Sequence, residues 1–325
     1  MRCVLVALGI VCLAPGPAAA QRPSALRVGA DNDAFNFWQP PWERTDQEYT
    51  SGVRGALVYD GRSPILGALM RRIGPPCEPN YTCATHAFTL GQKIFTTPPA
   101  ARASTDPNAP GPLRTRTNAG WLYVQASERD SSAESATELS IAIGVVGPPA
   151  LGETMQRLFH SIVPEYQRPV DWTHQLPFEP GFVARYTRTI YSRPWVNSAA
   201  WRVSGFTSFG GALGTILTEG AGGAGLRAEA RLPGADRWSF VPRLELSADG
   251  HVRGIVRDEF LDGAFFRKSE RVPRNPTVFE QSAGVALRWR RLSVSYQVNH
   301  VGKQYSAQPA DATWGALSAE WRLSR

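Results

Sequence analysis

The chain contains no run of about eighteen apolar residues after its first twenty, so a helical membrane protein is excluded. It has no GxSxG, no HExxH and no paired CxxC, which removes the usual serine- and zinc-hydrolase signatures. Cysteine is scarce: of the four, Cys3 and Cys12 lie in the first twenty residues, leaving Cys77 and Cys83. A close pair in an exported chain predicts a disulfide around CEPNYTC, and with no second pair a metal site there is the weaker reading. The net charge of +7 comes mainly from scattered arginine and forms no run. That distribution suits anionic head groups or plain solubility and not a nucleic-acid groove. One compositional break, PPAARASTDPNAPGPLRTRTN, resembles a linker, so a single domain is expected.

What the chain does have begins with MRCVLVALGIVCLAPGPAAA, which carries one arginine, an apolar core and a small-residue cleavage site. Residues 1–20 are expected to be a signal peptide and residues 21–325 the mature body. Period-two alternation then recurs almost throughout. In ELSIAIGV, Leu139, Ile141, Ile143 and Val145 alternate with Glu138, Ser140, Ala142 and Gly144. About twelve such segments fall near 26–35, 49–60, 84–96, 118–129, 136–147, 179–191, 196–209, 214–230, 238–257, 278–290, 291–303 and 311–323. Short connections such as RDSSAE and RRL mostly alternate with long ones, as in outer-membrane barrels. The stretch Ser63–Thr82 breaks the rule, being long where a short turn is due, and the ending EWRLSR lacks the customary terminal aromatic. A β-sandwich also alternates, but the evenness of the count and the loop asymmetry favour a closed transmembrane antiparallel β-barrel. The pattern sets no oligomeric state, and a monomer would suffice.

The spacing GAGGAG, residues 220–225, imitates a dinucleotide motif, but inside an alternating strand it reads as a glycine-lined barrel wall. PALGETMQRLFHSIV, residues 149–163, has helical spacing and sits within a long loop. Glu153, Gln156 and His160 are three and four apart and are expected on one face, with His160 a candidate general base. The first strand should place Arg27, Gly29, Asp31 and Asp33 toward the lumen. The second should turn Tyr49, Val53, Leu57 and Tyr59 outward and Thr50 and Arg54 inward. Asp33 and Thr50 would then meet at the loop-bearing rim, an oxygen-rich corner suited to Ca²⁺. Asn32 points the wrong way unless the strand ends or bulges there, and a plain strand end rich in Asp and Asn explains these residues equally well.

Five segments in order, DNDAF (31–35), TDQEYTSG (45–52), GQKIFTTP (91–98), GVVGPPALGETMQRLFH (144–160) and DWTHQLPFEPG (171–181), resemble the outer-membrane lipid A 3′-O-deacylases. The resemblance covers most of the N-terminal half; the C-terminal half shares only strand alternation. It implies a twelve-stranded barrel and Ca²⁺-dependent ester hydrolysis of lipid A, with the active site toward the outer leaflet. By motif, Asn32 and Asp33 match the family's Asn-Asp pair, Thr50 its threonine, and Gln156 and His160 its helical Gln and His. The first three would bind metal or position the ester, and His160 would activate water. Glu165 falls near a family glutamate, one residue off its spacing, and Asn118 replaces a family tyrosine. Arg102, Arg114 and Arg116, in a long loop, are candidates for contact with lipid phosphates. The rival readings are an outer-membrane phospholipase with the same His and Ca²⁺, and a non-catalytic pore or adhesin.

Overall fold

The computed structural model describes residues 21–37, 48–75, 83–97, 116–162, 172–230 and 242–323. Thirteen strands run in chain order: β1 (Ala25–Asn32), β2 (Glu48–Asp60), β3 (Ala84–Thr96), β4 (Ala119–Ser131), β5 (Ser135–Val146), β6 (Glu179–Tyr191), β7 (Val196–Asn197), β8 (Trp201–Gly214), β9 (Leu217–Ala230), β10 (Arg243–Asp258), β11 (Thr277–Trp289), β12 (Leu292–Val301) and β13 (Ala312–Arg322). Every neighbouring pair is antiparallel; β1 pairs with β13 and β6 with β8, so the sheet closes on itself. The two-residue β7 is a ribbon in the β6–β8 turn, leaving twelve strands in the wall, the expected number. Closure leaves no open sheet edge in the wall, which is what hydrocarbon demands. No helix among the described residues is long and apolar enough to cross a membrane.

Alternation separates the two faces. Leu26, Val28, Val124, Ile141, Ile143 and Phe182 project outward and are exposed, as a lipid-facing belt should be. The lumen is polar: Arg253 bridges Glu219 and Glu280 at 2.5 Å each, Arg185 reaches Glu219 at 2.9 Å, and Arg54 holds Asp31 at 2.8 Å. A cavity of about 430 Å³ remains among these charges. The glycines of β9 are wall, as read: a Cβ on Gly223 would strike the ring of His251, and one on Gly225 the ring of Phe206. Toward the loop-bearing end the lumen is filled by Trp121, Tyr123, Val146, Val183, Ile216 and Phe260, with Phe95 stacked on Phe260 at 4.1 Å. A filled mouth is poor design for a pore.

Two helices flank the wall. The long β2–β3 connection that broke the turn rule contains α1 (Gly67–Ile73), and the β5–β6 loop carries a 3₁₀ turn (Pro148–Ala150) followed by α2 (Gly152–Ile162). A short α3 (Glu259–Asp262) opens the β10–β11 loop. Cys83 is disulfide-bonded; Cys77, its expected partner, lies outside the described residues, as do residues 1–20.

Candidate functional site

The opening Asp and Asn residues are divided by the strand's end. Asp31 faces the lumen, where Arg54 and the Tyr49 hydroxyl hold its carboxylate. Asn32 continues the outward set Leu26, Val28, Ala30, and β1 stops there. Its side chain caps the 3₁₀ turn Asp33–Phe35 by accepting from the Ala34 amide at 2.7 Å, and the Asp33 carboxylate accepts from the same amide at 2.8 Å. The turn then folds over the outer side of β12 and β13: Tyr296 donates to the Phe35 carbonyl at 2.7 Å, and a Cβ on Gly315 would collide with Phe35. Asn32 and Asp33 are both almost fully buried.

The expected orientation of β2 is corrected at its first residues. The β2–β3 register shifts between Tyr49 and Ser51, a bulge centred on Thr50. Tyr49 therefore turns into the lumen cavity instead of outward, and Thr50 does not join Arg54 on the lumen face: its hydroxyl meets that of Thr96, both buried. Glu48, just before the bulge, has φ of +58°, a left-handed conformation costly for a residue with a Cβ. It is held there from several sides. Tyr305 donates to its carboxylate at 2.6 Å, while Arg116 pairs with the carboxylate at 3.4 Å and donates to the backbone carbonyl at 3.2 Å. Arg116 is thus 1% exposed and lies 4.9 Å from the Phe95 ring centre. The expectation that it reaches lipid phosphates from a loop is corrected: its charge is spent on fixing the bulge. Arg102, Arg114 and Glu165 lie outside the described residues.

The helix predicted over 149–163 forms with nearly those bounds, and it packs on the outer side of the wall. Gln92, outward on β3 and buried, donates to the Ala150 carbonyl at 2.5 Å, and Gly120 on β4 lies against Ala150 and Gly152, where a side chain would clash. On α2, Gln156 is buried and its side-chain oxygen accepts from the Trp172 indole at 2.8 Å; its amide nitrogen has no hydrogen-bond partner among the described residues. His160, one turn on, is partly exposed. Glu153 lies on the same side of the helix by its spacing, and its carboxylate binds Arg157 at 2.6 Å at the surface. Gln92 and Trp172 were given no role in the sequence reading, although both lie inside quoted motifs. A polar residue on a lipid-facing parity and a tryptophan near the helical glutamine were the available signals.

The polar cluster therefore sits on the outer side of the barrel at its loop-bearing rim, not in the lumen. The β1–β2 register sets Asn32 opposite Ser51, next to Thr50; Thr50 touches β3, and β3 carries the segment leading into α2. Among the described residues no three His, Cys, Asp or Glu side chains cluster to hold a metal. Any cation here would rely on one carboxylate, Asp33, with the neutral oxygens of Asn32 and Thr50. That is a hard-oxygen set compatible with Ca²⁺ and unsuited to zinc.

Below the cluster the outer wall carries an apolar groove of about 640 Å³, lined by Leu90, Leu122, Val124, Ile143, Phe182 and Phe266. Leu122 pairs with Gln92, so the groove starts beside the seat of α2. Phe266 belongs to the β10–β11 loop, and Glu179 fastens that loop by accepting from the Phe265 and Phe266 amides at 2.6 and 2.9 Å. Glu259 of α3 is wholly buried beside it, and burial, reinforced by the Glu179 charge, pushes its carboxyl up to about 8.

The structure matches LpxR from Salmonella typhimurium with a TM-score of 0.71 at 17% identity, covering 92% of this chain and all of that one. The β domain of the Bordetella autotransporter BrkA matches at 0.48 and 9% identity, over 94% of this chain and 100% of that chain. The outer-membrane enzyme PagL matches at 0.27 and 14% identity, over 45% of this chain and 91% of its own. A sequence comparison with curated proteins returns no match. The family model described as outer membrane protein LpxR covers residues 4–323, nearly the whole chain, and this protein, with its twelve-stranded wall, belongs to the LpxR family of outer-membrane proteins.

Proposed function

We propose that the protein is a lipid A 3′-O-deacylase, hydrolysing an acyl ester at the outer-leaflet rim of the barrel with His160 as general base. The observation that carries this reading is the placement of the polar cluster on the outer side of the wall, directly above an apolar groove. An ester linkage lies where head group meets acyl chain, so its enzyme must set polar catalytic groups beside a hydrocarbon-accepting surface. A pore has no use for that arrangement, and its mouth would not be packed with Trp121 and Phe260.

His160 takes a proton from water as the oxygen adds to the ester carbonyl, and returns it to the departing sugar oxygen when the carbon–oxygen bond breaks. The amide of Gln156, oriented by Trp172, donates to the carbonyl oxygen as charge develops on it. Asn32, Asp33 and Thr50 would hold Ca²⁺, which when bound supplies Lewis-acid stabilisation of that oxygen. The groove under Phe266 accepts the acyl chain. Water is the nucleophile, in keeping with the absence of a serine elbow.

The test is mass spectrometry of lipid A from cells expressing the wild type or His160→Ala with Ca²⁺ supplied. Loss of acyl mass only with the wild type supports the reading. Unchanged lipid A with folded wild-type barrel would sink it, and release of fatty acid from phospholipid by the same barrel would move the assignment to a phospholipase.

A further inference from the structure

The other helix covers a second polar patch on the outer wall, at the opposite end. By period-two alternation and an unbroken β4–β5–β6 register, Glu128, Asp130, Thr137, Leu139, Tyr186 and Arg188 share the face of the exposed Ile141, Ile143 and Phe182. Charged groups on that face are costly in lipid. Here α1 covers them. Leu66 and Met70 pack on Leu139, with Tyr186 and Ile73 at the margin, and Arg188 donates to the Ile73 carbonyl at 3.3 Å. Arg62, entering the helix, donates to Glu128 at 3.0 Å and Asp130 at 2.8 Å, and both carboxylates are fully buried. Gly74 ends the helix so close to Asp130 that a side chain would collide.

The helix is thus fixed against the wall, and its free face is specific in chemistry. Ile65 and Leu69 are 61% and 50% exposed, continuing the apolar belt, while Arg71 and Arg72 in the last turn are exposed. No ion pair engages either arginine among the described residues, and the helix has no acidic residue in its first turn. This end carries the short turns, among them the two-residue β11–β12 connection, and the chain's described termini, where Leu323 donates to the Ser24 carbonyl. In outer-membrane barrels that is the periplasmic side, facing the phospholipid leaflet.

We infer that α1 is a binding site for an anionic phospholipid of the inner leaflet, with Arg71 and Arg72 on the phosphate and Ile65 and Leu69 against the acyl chains. An amphipathic segment with basic residues beside apolar ones at the interface has this preference. The inference rests on the outer-membrane barrel and not on the proposed chemistry at the far rim.

The experiment is native mass spectrometry of the detergent-solubilised full chain with phosphatidylglycerol or phosphatidylethanolamine at equal concentration. The wild type should retain phosphatidylglycerol more tightly by roughly tenfold, and Arg71→Ala with Arg72→Ala should abolish the difference while heat-modifiable gel mobility shows an intact barrel. A charge-matched control, Arg290→Ala with Arg291→Ala in the β11–β12 turn, should leave most of it. Equal retention of both lipids by the wild type, an undiminished preference in the α1 variant, or an equal loss in the control would overturn the proposal.

Discussion

The two ends of the barrel solve the same physical problem in opposite ways. Each has polar side chains on the wall's outer face with a helix packed against it: α2 and the turn before it sit on β3 and β4 at Gln92, beside the rim that holds Asn32 and Thr50, and α1 sits over Glu128, Asp130 and Thr137. Under α1 an arginine reaches both carboxylates, and the patch is closed by ion pairs. At the α2 end the polar set consists of amide, hydroxyl and carboxylate oxygens, and the buried amide nitrogen of Gln156 has no partner among the described residues. Both ends keep an unpaired buried atom among the described residues, but under α1 it is an oxygen of Asp130, whose charge Arg62 answers, whereas at the α2 end it is a donor able to receive an incoming acceptor. The strained Glu48, anchored by Arg116 and Tyr305, lies at the receiving end, consistent with strain being held where geometry serves a site.

Breaking the comparison hardest is His160→Ala. Deacylation should fall by about 10²–10⁴-fold, the ordinary contribution of a general base, with unfolding in urea unchanged. A loss of barrel stability instead would make His160 structural. Arg116→Ala should act the other way, on the fold: it strands Glu48 without a counter-charge and should destabilise the barrel by about 3–5 kcal/mol, measured by the denaturation midpoint. A variant of full stability but raised KM would restore Arg116 to the role of phosphate contact.

Arg62→Ala sharpens the other end. Glu128 and Asp130 would lose their cation, at roughly 1.5–3 kcal/mol for hydrogen bonds to charged groups, with lipid A turnover per folded molecule unaffected. Loss of turnover in a stable protein would mean that the two ends communicate. The smallest effect concerns pH. Glu259 has its pKa raised to about 8 from an ordinary 4.5, so the folded state holds a proton the unfolded chain has released. This group's contribution is fully present below about 4.5 and is lost as pH rises toward 8. Glu259→Gln should therefore flatten the decline in stability over that window, read from denaturation midpoints at pH 5 and 8.5; parallel declines in both proteins would assign the dependence elsewhere.

The sequence by itself determined the barrel. Alternation is a local property, and Ile141, Ile143 and their partners declare strand, face and solvent together, while alternating loop lengths set the polarity of the two ends. Motif order also brought out Asn32, Asp33, Thr50, Gln156 and His160. Only the tertiary structure decided which side of the wall they occupy. Strict alternation carried Thr50 inward and Tyr49 outward, because a bulge inserts one residue without any mark in local pattern, and here it depends on contacts to Glu48 from Arg116 and Tyr305, distant by 68 and 257 residues. The same holds for α1: its seven residues read as an overlong turn until the barrel closes and sets Glu128 and Asp130 beside Arg62. Periodicity follows from bonds between neighbours in the chain; faces at a bulge, and the carboxylates a helix must cover, follow from neighbours in space.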